Sequence, residues 1–230
     1  MAVELVWSML KWHCKPNVVI YNTITDNLCK DGNVDDALSR LSQMREWNVT
    51  PNVVTYTSLV DGLCKLGRGM DAMRMLSDMT EQNIFPDVIM YNMLVDAFCE
   101  GKTKEAEAIL AIMIQRGEEL DVVTYNALMD GYCLQGHMDK AKEVFNSMAD
   151  EGVEPNIRSY CILVNGHCKR KNVDEAFHVF LEMDCKGLKP DTVIYTTLLR
   201  DLFTLGRCGA ANSLFDEMMC RGPKPNIVTY

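Results

Sequence analysis

The chain has 230 residues, 48% of them hydrophobic, and a formal net charge of −9. That is enough apolar material for a large core, and the acidity sits awkwardly with any partner held through phosphates. No run of 18 apolar residues is present to span a membrane, and Met1–Trp12 has neither a basic start nor a cleavage-like site.

Length alone suggests one or two domains, but a repeat overrides it. Tyr21, Tyr56, Tyr91, Tyr125, Tyr160, Tyr195 and Tyr230 recur at steps of 35, 35, 34, 35, 35 and 35 residues. Ala37, Ala72 and Ala106, Met44, Met79 and Met113, Pro16, Pro51 and Pro86, and their later counterparts keep the same step. A period of this size marks one supersecondary unit copied along a solenoid, each copy burying its apolar face against its neighbours.

In chain order, residues 1–17 read as a partial copy with a second helix only. Full copies follow at 18–52, 53–87, 88–121, 122–156, 157–191 and 192–226, and 227–230 begins another. Within 53–87, Val53, Tyr56, Leu59, Val60, Leu63 and Cys64 follow the spacing of an amphipathic helix. Gly67 and Gly69 break it. A second stripe is expected at Met70, Met73, Leu76 and Met79, with Ala72 allowing close approach, and Pro86 is expected to end the unit. Each copy is thus a pair of antiparallel helices of about 11–14 residues with a short link. The copy at 88–121 is one residue short at Glu100-Gly101-Lys102 and has Leu120 where the others have proline, which predicts a tightened turn. The expected fold is an all-α, right-handed superhelical solenoid. Neither end reads as a polar cap, so a longer array is expected.

Cys29, Cys64, Cys99, Cys133 and Cys168 share one register, about one copy apart and beyond disulfide reach, and no CxxC pair occurs. They read as small buried residues in a reducing compartment. His13, His137, His167 and His178 sit at different repeat positions and supply no convergent metal-ligand set. No metal or cofactor is expected. GxxxxGK[ST], HExxH and GxSxG are all missing, and Glu118-Glu119 lies in a loop without a partner base, so the chain does not read as an enzyme. The repeated tyrosine, in the apolar register of the first helix, reads as core.

Tetratricopeptide repeats, of about 34 residues, open on a WxxLGxxY-type sequence that this chain lacks. The phrases VVTYTSLVDGLCKLGR, VVTYNALMDGYCLQGHMDKAKEVFNSMADEGVEPN and VIYTTLLRDLFTLGR instead resemble the pentatricopeptide repeat, P-class, as in restorer-of-fertility-like proteins. The resemblance covers essentially the whole chain. It implies that the first helices line a groove for single-stranded RNA, one base per copy, with the amino end towards the RNA 5′ end. It also implies that two positions specify each base: the residue after the repeated tyrosine and the last residue of the copy. The couples are Asn22/Asn52, Thr57/Asp87, Asn92/Asp121, Asn126/Asn156, Cys161/Asp191 and Thr196/Asn226.

Chemistry makes such a code plausible. A carboxylate only accepts hydrogen bonds and suits the imino N–H of uracil or guanine, whereas Asn can turn its amide donor to the bare ring nitrogen of cytosine or adenine. Short Thr leaves room for a purine, and longer Asn reaches a pyrimidine. The expected reading is 5′-[C/U]-G-U-[C/U]-[G/U]-A-3′, the fifth base being the one Cys161 leaves open. By the same resemblance Val19, Val54, Ile89, Val123 and Val193 pack against base faces. Arg158 breaks that series, and its guanidinium either stacks on a base or points to solvent. Lys30, Lys65 and Lys169 lie near the phosphates, while Glu100, Leu134 and Thr204 hold the equivalent places.

The first-helix windows contain five basic and six acidic residues, so most of the acidity lies outside the proposed groove. A shallow salt dependence follows, with specificity resting on base edges. The resemblance points to a mitochondrial or, alternatively, chloroplast protein of RNA processing, stabilisation or translation control. Protein partners would act through regions outside this chain. The alternative reading is a helical-repeat scaffold holding a protein or peptide.

Overall fold

The structure is a computed structural model that describes residues 16–99, 103–221 and 223–225. Among the described residues every regular element is a helix. They are α1 (Val18–Lys30), α2 (Val34–Glu46), α3 (Val53–Lys65), α4 (Gly69–Glu81), α5 (Val88–Cys99), α6 (Thr103–Gln115), α7 (Val122–Leu134), α8 (Met138–Asp150), α9 (Ile157–Lys169), α10 (Val173–Cys185), α11 (Thr192–Thr204) and α12 (Cys208–Arg221). The partial copy at 1–15, the shortened turn at 100–102 and the chain from 226 onwards lie outside the described residues.

The backbone forms two compact units, residues 1–98 with 108–119 and residues 99–107 with 120–230, each following one packing scheme. In the first, α1 packs on α2 and α3, α2 on α3, and α3 on α4. In the second, α7 packs on α8 and α9, α8 on α9, α9 on α10 and α11, α10 on α11, and α11 on α12. A leading helix thus touches its own partner helix and the next leading helix. This is an all-α helical-repeat solenoid.

The helix ends share one device, and in the copy at 53–87 it acts ahead of Pro86. Helix α4 stops at Glu81, well before the proline. Asn83 turns into the left-handed region (φ 57°), and the Ile84 N–H donates to the Met79 carbonyl at 3.0 Å. That closure satisfies a carbonyl the helix end would otherwise orphan. Gly67 (φ 69°) does the same for α3, with the Arg68 N–H on the Leu63 carbonyl at 2.9 Å. The repeated methionines Met44, Met79, Met113, Met148 and Met183 supply the accepting carbonyl in successive copies. Their register is therefore set by both packing and helix termination.

Tyr21, Tyr56, Tyr91, Tyr125, Tyr160 and Tyr195 are all buried, as expected of core residues. Tyr56, Tyr160 and Tyr195 each approach the second helix of the preceding copy. Phe145 meets Tyr160 edge-on at 5.1 Å and Phe180 meets Tyr195 at 5.4 Å. Tyr56 also ties three helices together, because its hydroxyl accepts from Arg45 of α2 and donates to Asp78 of α4, both at 2.8 Å.

The stripe expected at Met70 is misplaced by one residue. Met70 is exposed, and Gly69 takes the buried position. Val34, Met138 and Val173 occupy that position in other copies and are buried there. At Gly69 the space is filled from outside: the Phe98 ring lies 3.0 Å from where a Cβ would stand.

The cysteine register has an equally local cause. A Cβ built on Gly62 would meet Cys29 Cβ and Sγ at 2.8 Å, and one built on Gly166 would meet Cys133 Sγ at 2.8 Å. Small residues on facing leading helices let the backbones approach. Burial pushes the Cys29 thiol up to about 11 and those of Cys64, Cys133 and Cys168 to about 12, so they are protonated packing groups. Cys99 lies outside the described side chains. His167 is also core, and burial lowers its pKa, whereas His137 and His178 are exposed.

These shifts fix an alkaline limit. Tyr56 and Tyr160, like the thiols, are pushed up to about 12, chiefly by burial. A raised folded-state pKa contributes stability that is complete below the unfolded value, 9.0 for Cys and 10.0 for Tyr, and lost as pH rises through the folded one. The melting temperature, followed by circular dichroism, is therefore expected to fall progressively between about pH 9 and 12. A flat profile across that window would contradict the burial.

Candidate nucleic-acid interface

Every leading helix starts after an Asn or Asp, and that residue is the last of the preceding copy. Asn17 caps α1, Asn52 α3, Asp121 α7, Asn156 α9 and Asp191 α11, each side-chain oxygen accepting from a backbone N–H of the first turn. Asp87 does likewise for α5, accepting from the Met90 N–H at 2.9 Å. Ncap sites favour Asn, Asp, Ser and Thr, because their short oxygens reach the orphan donors. The second residue of each couple thus carries a structural duty as well as a candidate reading one.

The couples are separated by about one copy in sequence, yet two of them touch. Asn22 Nδ2 donates to Asn52 Oδ1 at 3.1 Å, and Asn126 Nδ2 to Asn156 Oδ1 at 3.4 Å. Cys161 feels the Asp191 charge: burial first, then that carboxylate, pushes its thiol up to about 12, with Arg158 acting in the opposite sense. Thr57 turns its hydroxyl back onto the Val53 carbonyl at 2.8 Å, and Asp87 is exposed. Asn92, Asp121 and Thr196 are half-buried, and Asn226 lies outside the described residues.

Asn126 departs from the other leading residues. It is only 4% exposed, and its Oδ1 is buried without a hydrogen-bond partner.

One residue after the start of five of the six described leading helices stands a large apolar side chain in solvent. Val19, Val54, Ile89, Val123 and Val193 are between 55% and 64% exposed. Scattered surface valines need no explanation, but one β-branched residue at the same register of five copies does. Arg158 holds that register in the remaining copy and is also exposed.

Of the candidate phosphate contacts, Lys30 and Lys65 reach back to acids one turn earlier, Asp26 at 2.7 Å and Asp61 at 2.6 Å. Both pairs are solvent-exposed and hold their lysines only weakly. Lys169 is exposed with Asn165 at the equivalent place, so it carries no acid on its own helix one turn back.

Two features of the interface were missed from sequence. The capping duty was legible in Asn or Asp directly before an apolar run, followed three residues later by Thr55, Thr124 or Ser159. The burial of Asn126 had no comparable signal.

The repeat and the paired-helix packing define a helical-repeat protein whose leading helices carry one polar couple per copy. The PPR repeat family matches at residues 16–65, 60–100, 120–169, 162–203 and 190–230, and a single PPR repeat at 89–118. The chain belongs to the PPR repeat family.

Among solved structures it is similar to the pentatricopeptide repeat protein PPR10 from maize, at 28% identity and a TM-score of 0.78, covering 99% of this chain and 33% of that one. PPR10 in complex with an 18-nt psaJ RNA element matches at 24% identity and a TM-score of 0.64, covering 98% and 37%. The PPR domain of Arabidopsis thaliana protein-only RNase P 1 (PRORP1), in complex with tRNA, matches at 18% identity and a TM-score of 0.60, covering 74% and 90%. The chain therefore spans about a third of the length of PPR10. No curated protein matches it.

Proposed function

We propose that this chain binds single-stranded RNA by reading one base per copy through its six couples. The observation that carries the reading is the side-by-side meeting of Asn22 with Asn52 and Asn126 with Asn156 at the starts of leading helices. One exposed apolar residue stands two positions after the cap in most copies. Polar groups that touch can address one base edge together, and an exposed Val or Ile offers a surface for the base face. The two RNA-bound relatives support the choice of ligand.

The finer reading is 5′-[C/U]-G-U-[C/U]-[G/U]-A-3′, in a P-class, restorer-of-fertility-like protein. Its place is an organelle, the mitochondrion first, in RNA processing, stabilisation or translation control. Val19, Val54, Ile89, Val123, Val193 and Arg158 contact base faces, and Lys30, Lys65 and Lys169 contact phosphates. Three basic groups engage few phosphates, so affinity falls gently with salt.

Fluorescence anisotropy with a labelled hexamer of this sequence, its reverse and a scramble tests the proposal. The matched RNA is expected to bind at least about tenfold tighter than the scramble, since each mismatch costs ~1–3 kcal/mol at base-reading interfaces. Equal affinities, or binding abolished at physiological salt for all sequences, would sink it.

A further inference from the structure

The polarity of the first couple is dictated by a group that cannot change sign. The Thr55 backbone N–H can only donate, so the Asn52 atom 3.2 Å from it is the carbonyl oxygen Oδ1. That oxygen also faces the Asn22 amide at 3.1 Å, which must therefore present Nδ2 to it. Asn22 Oδ1 is then left against the Thr55 hydroxyl at 2.6 Å. This hydroxyl accepts from the Asn52 backbone N–H at 3.1 Å and has one hydrogen to give. Asn22 Oδ1 at 2.6 Å is a nearer acceptor than Asn52 Oδ1 at 3.1 Å and takes it. Thr55 is fully buried, and its β-branch restricts the side chain to few rotamers.

We infer that Thr55 is a positioning residue that latches the Asn22/Asn52 couple with its carbonyl oxygens turned to protein donors and its Nδ2 hydrogens left for a base, and so makes the first copy select cytosine over uracil. The inference rests on the RNA-reading proposal and deepens it. Asn52 Oδ1 accepts from both the Thr55 N–H and Asn22 Nδ2, and the buried Thr55 hydroxyl holds Asn22 Oδ1 towards itself, so Nδ2 hydrogens are what the latched couple turns to a base. Cytosine answers with adjacent acceptors at N3 and O2. Uracil carries a hydrogen at N3 and needs an acceptor there, which Asn22 supplies only by flipping and breaking the Thr55 contact.

The fourth copy has the same parts with the latch open. The Ser159 N–H donates to Asn156 Oδ1 at 3.1 Å, and the Asn156 N–H to Ser159 Oγ at 3.1 Å. The serine hydroxyl, however, lies on Asn156 Oδ1 at 3.3 Å, and Asn126 Oδ1 has no partner. An Asn126 flip breaks no hydroxyl bond, so this copy accepts cytosine and uracil more evenly.

The test measures anisotropy with the full chain and four hexamers carrying C or U at the first or the fourth base. Wild type is expected to prefer C over U by about tenfold at the first base and by no more than about threefold at the fourth, within the range of single-base penalties. Thr55→Val should collapse the first ratio and leave the fourth unchanged, while Thr55→Ser retains most of it. A merely structural role would weaken all four RNAs alike. Ser159→Thr should raise the ratio at the fourth base, and this arm decides if Thr55→Val fails to fold by circular dichroism. An unchanged first ratio in folded Thr55→Val, or an unchanged fourth ratio in Ser159→Thr, overturns the latch while matched RNA still outcompetes the scramble. Loss of that wild-type preference overturns the RNA reading and the latch together.

Discussion

Replacing Asp87 by Asn should move the second copy from guanine to adenine. Asp87 caps α5 through one oxygen, accepting the Met90 N–H at 2.9 Å, and is otherwise exposed. Asn is as good an Ncap as Asp, so the substitution keeps the helix start and the melting curve. What changes is the edge offered to a base. A carboxylate accepts the imino hydrogen of guanine but has nothing to give the bare N1 of adenine, whereas an amide has a donor for it. Thr57, with its hydroxyl folded onto the Val53 carbonyl, is unchanged by the substitution. Wild type should prefer G at the second base and the variant A, each by about 10- to 100-fold, the range of a single mismatch. Titrations with hexamers differing only at that base check it. If both proteins rank the four bases alike, Asp87 is a cap and nothing more.

Alanine at Gly62 and at Gly209 should act in opposite directions. In an exposed helix, replacing Gly by Ala gains roughly 0.5–1 kcal/mol by restricting the unfolded chain. Gly209 meets that condition, because a Cβ there has nothing within 4 Å. At Gly62 the new carbon would press on Cys29 Cβ and Sγ at 2.8 Å and on Val34 at 3.1 Å. Cys29 Cβ is one bond from the α1 backbone, so relief requires α1 and α3 to separate. Such overpacking costs ~1–3 kcal/mol, enough to reverse the sign. Thermal melts of the two variants should therefore bracket wild type. A stabilised Gly62→Ala would mean that the leading helices are not in this contact.

Much of this was readable in one dimension. The tyrosine period located the leading helices, and all six described tyrosines of that period are core. The Ala and Met registers placed the second helices. Pro86 reads as the end of its copy, and α4 itself closes earlier through Asn83, because a left-handed residue satisfies the last carbonyls directly and proline only keeps a helix from resuming. Met70 reads as core by hydropathy. It faces solvent because Phe98 from the next leading helix already fills the space at Gly69, and no pattern within α4 encodes an occupant from elsewhere.

The couples divide in the same way. Their identities and spacing, and the hydroxyl three residues beyond Asn52 and Asn156, belong to the sequence. So does the paired-helix architecture, since a strict period with one apolar face per helix has few other ways to exclude water. Which atoms of a couple face each other was settled only by packing. Asn22 is latched through Thr55 at 2.6 Å, whereas Asn126, with Asn156 and the hydroxyl of Ser159 at the matching positions, is buried with an unpartnered oxygen. A hydrogen bond depends on distances of a few tenths of an ångström and on the sign of each atom. Those quantities exist only once helices about one copy apart in the chain have been brought together.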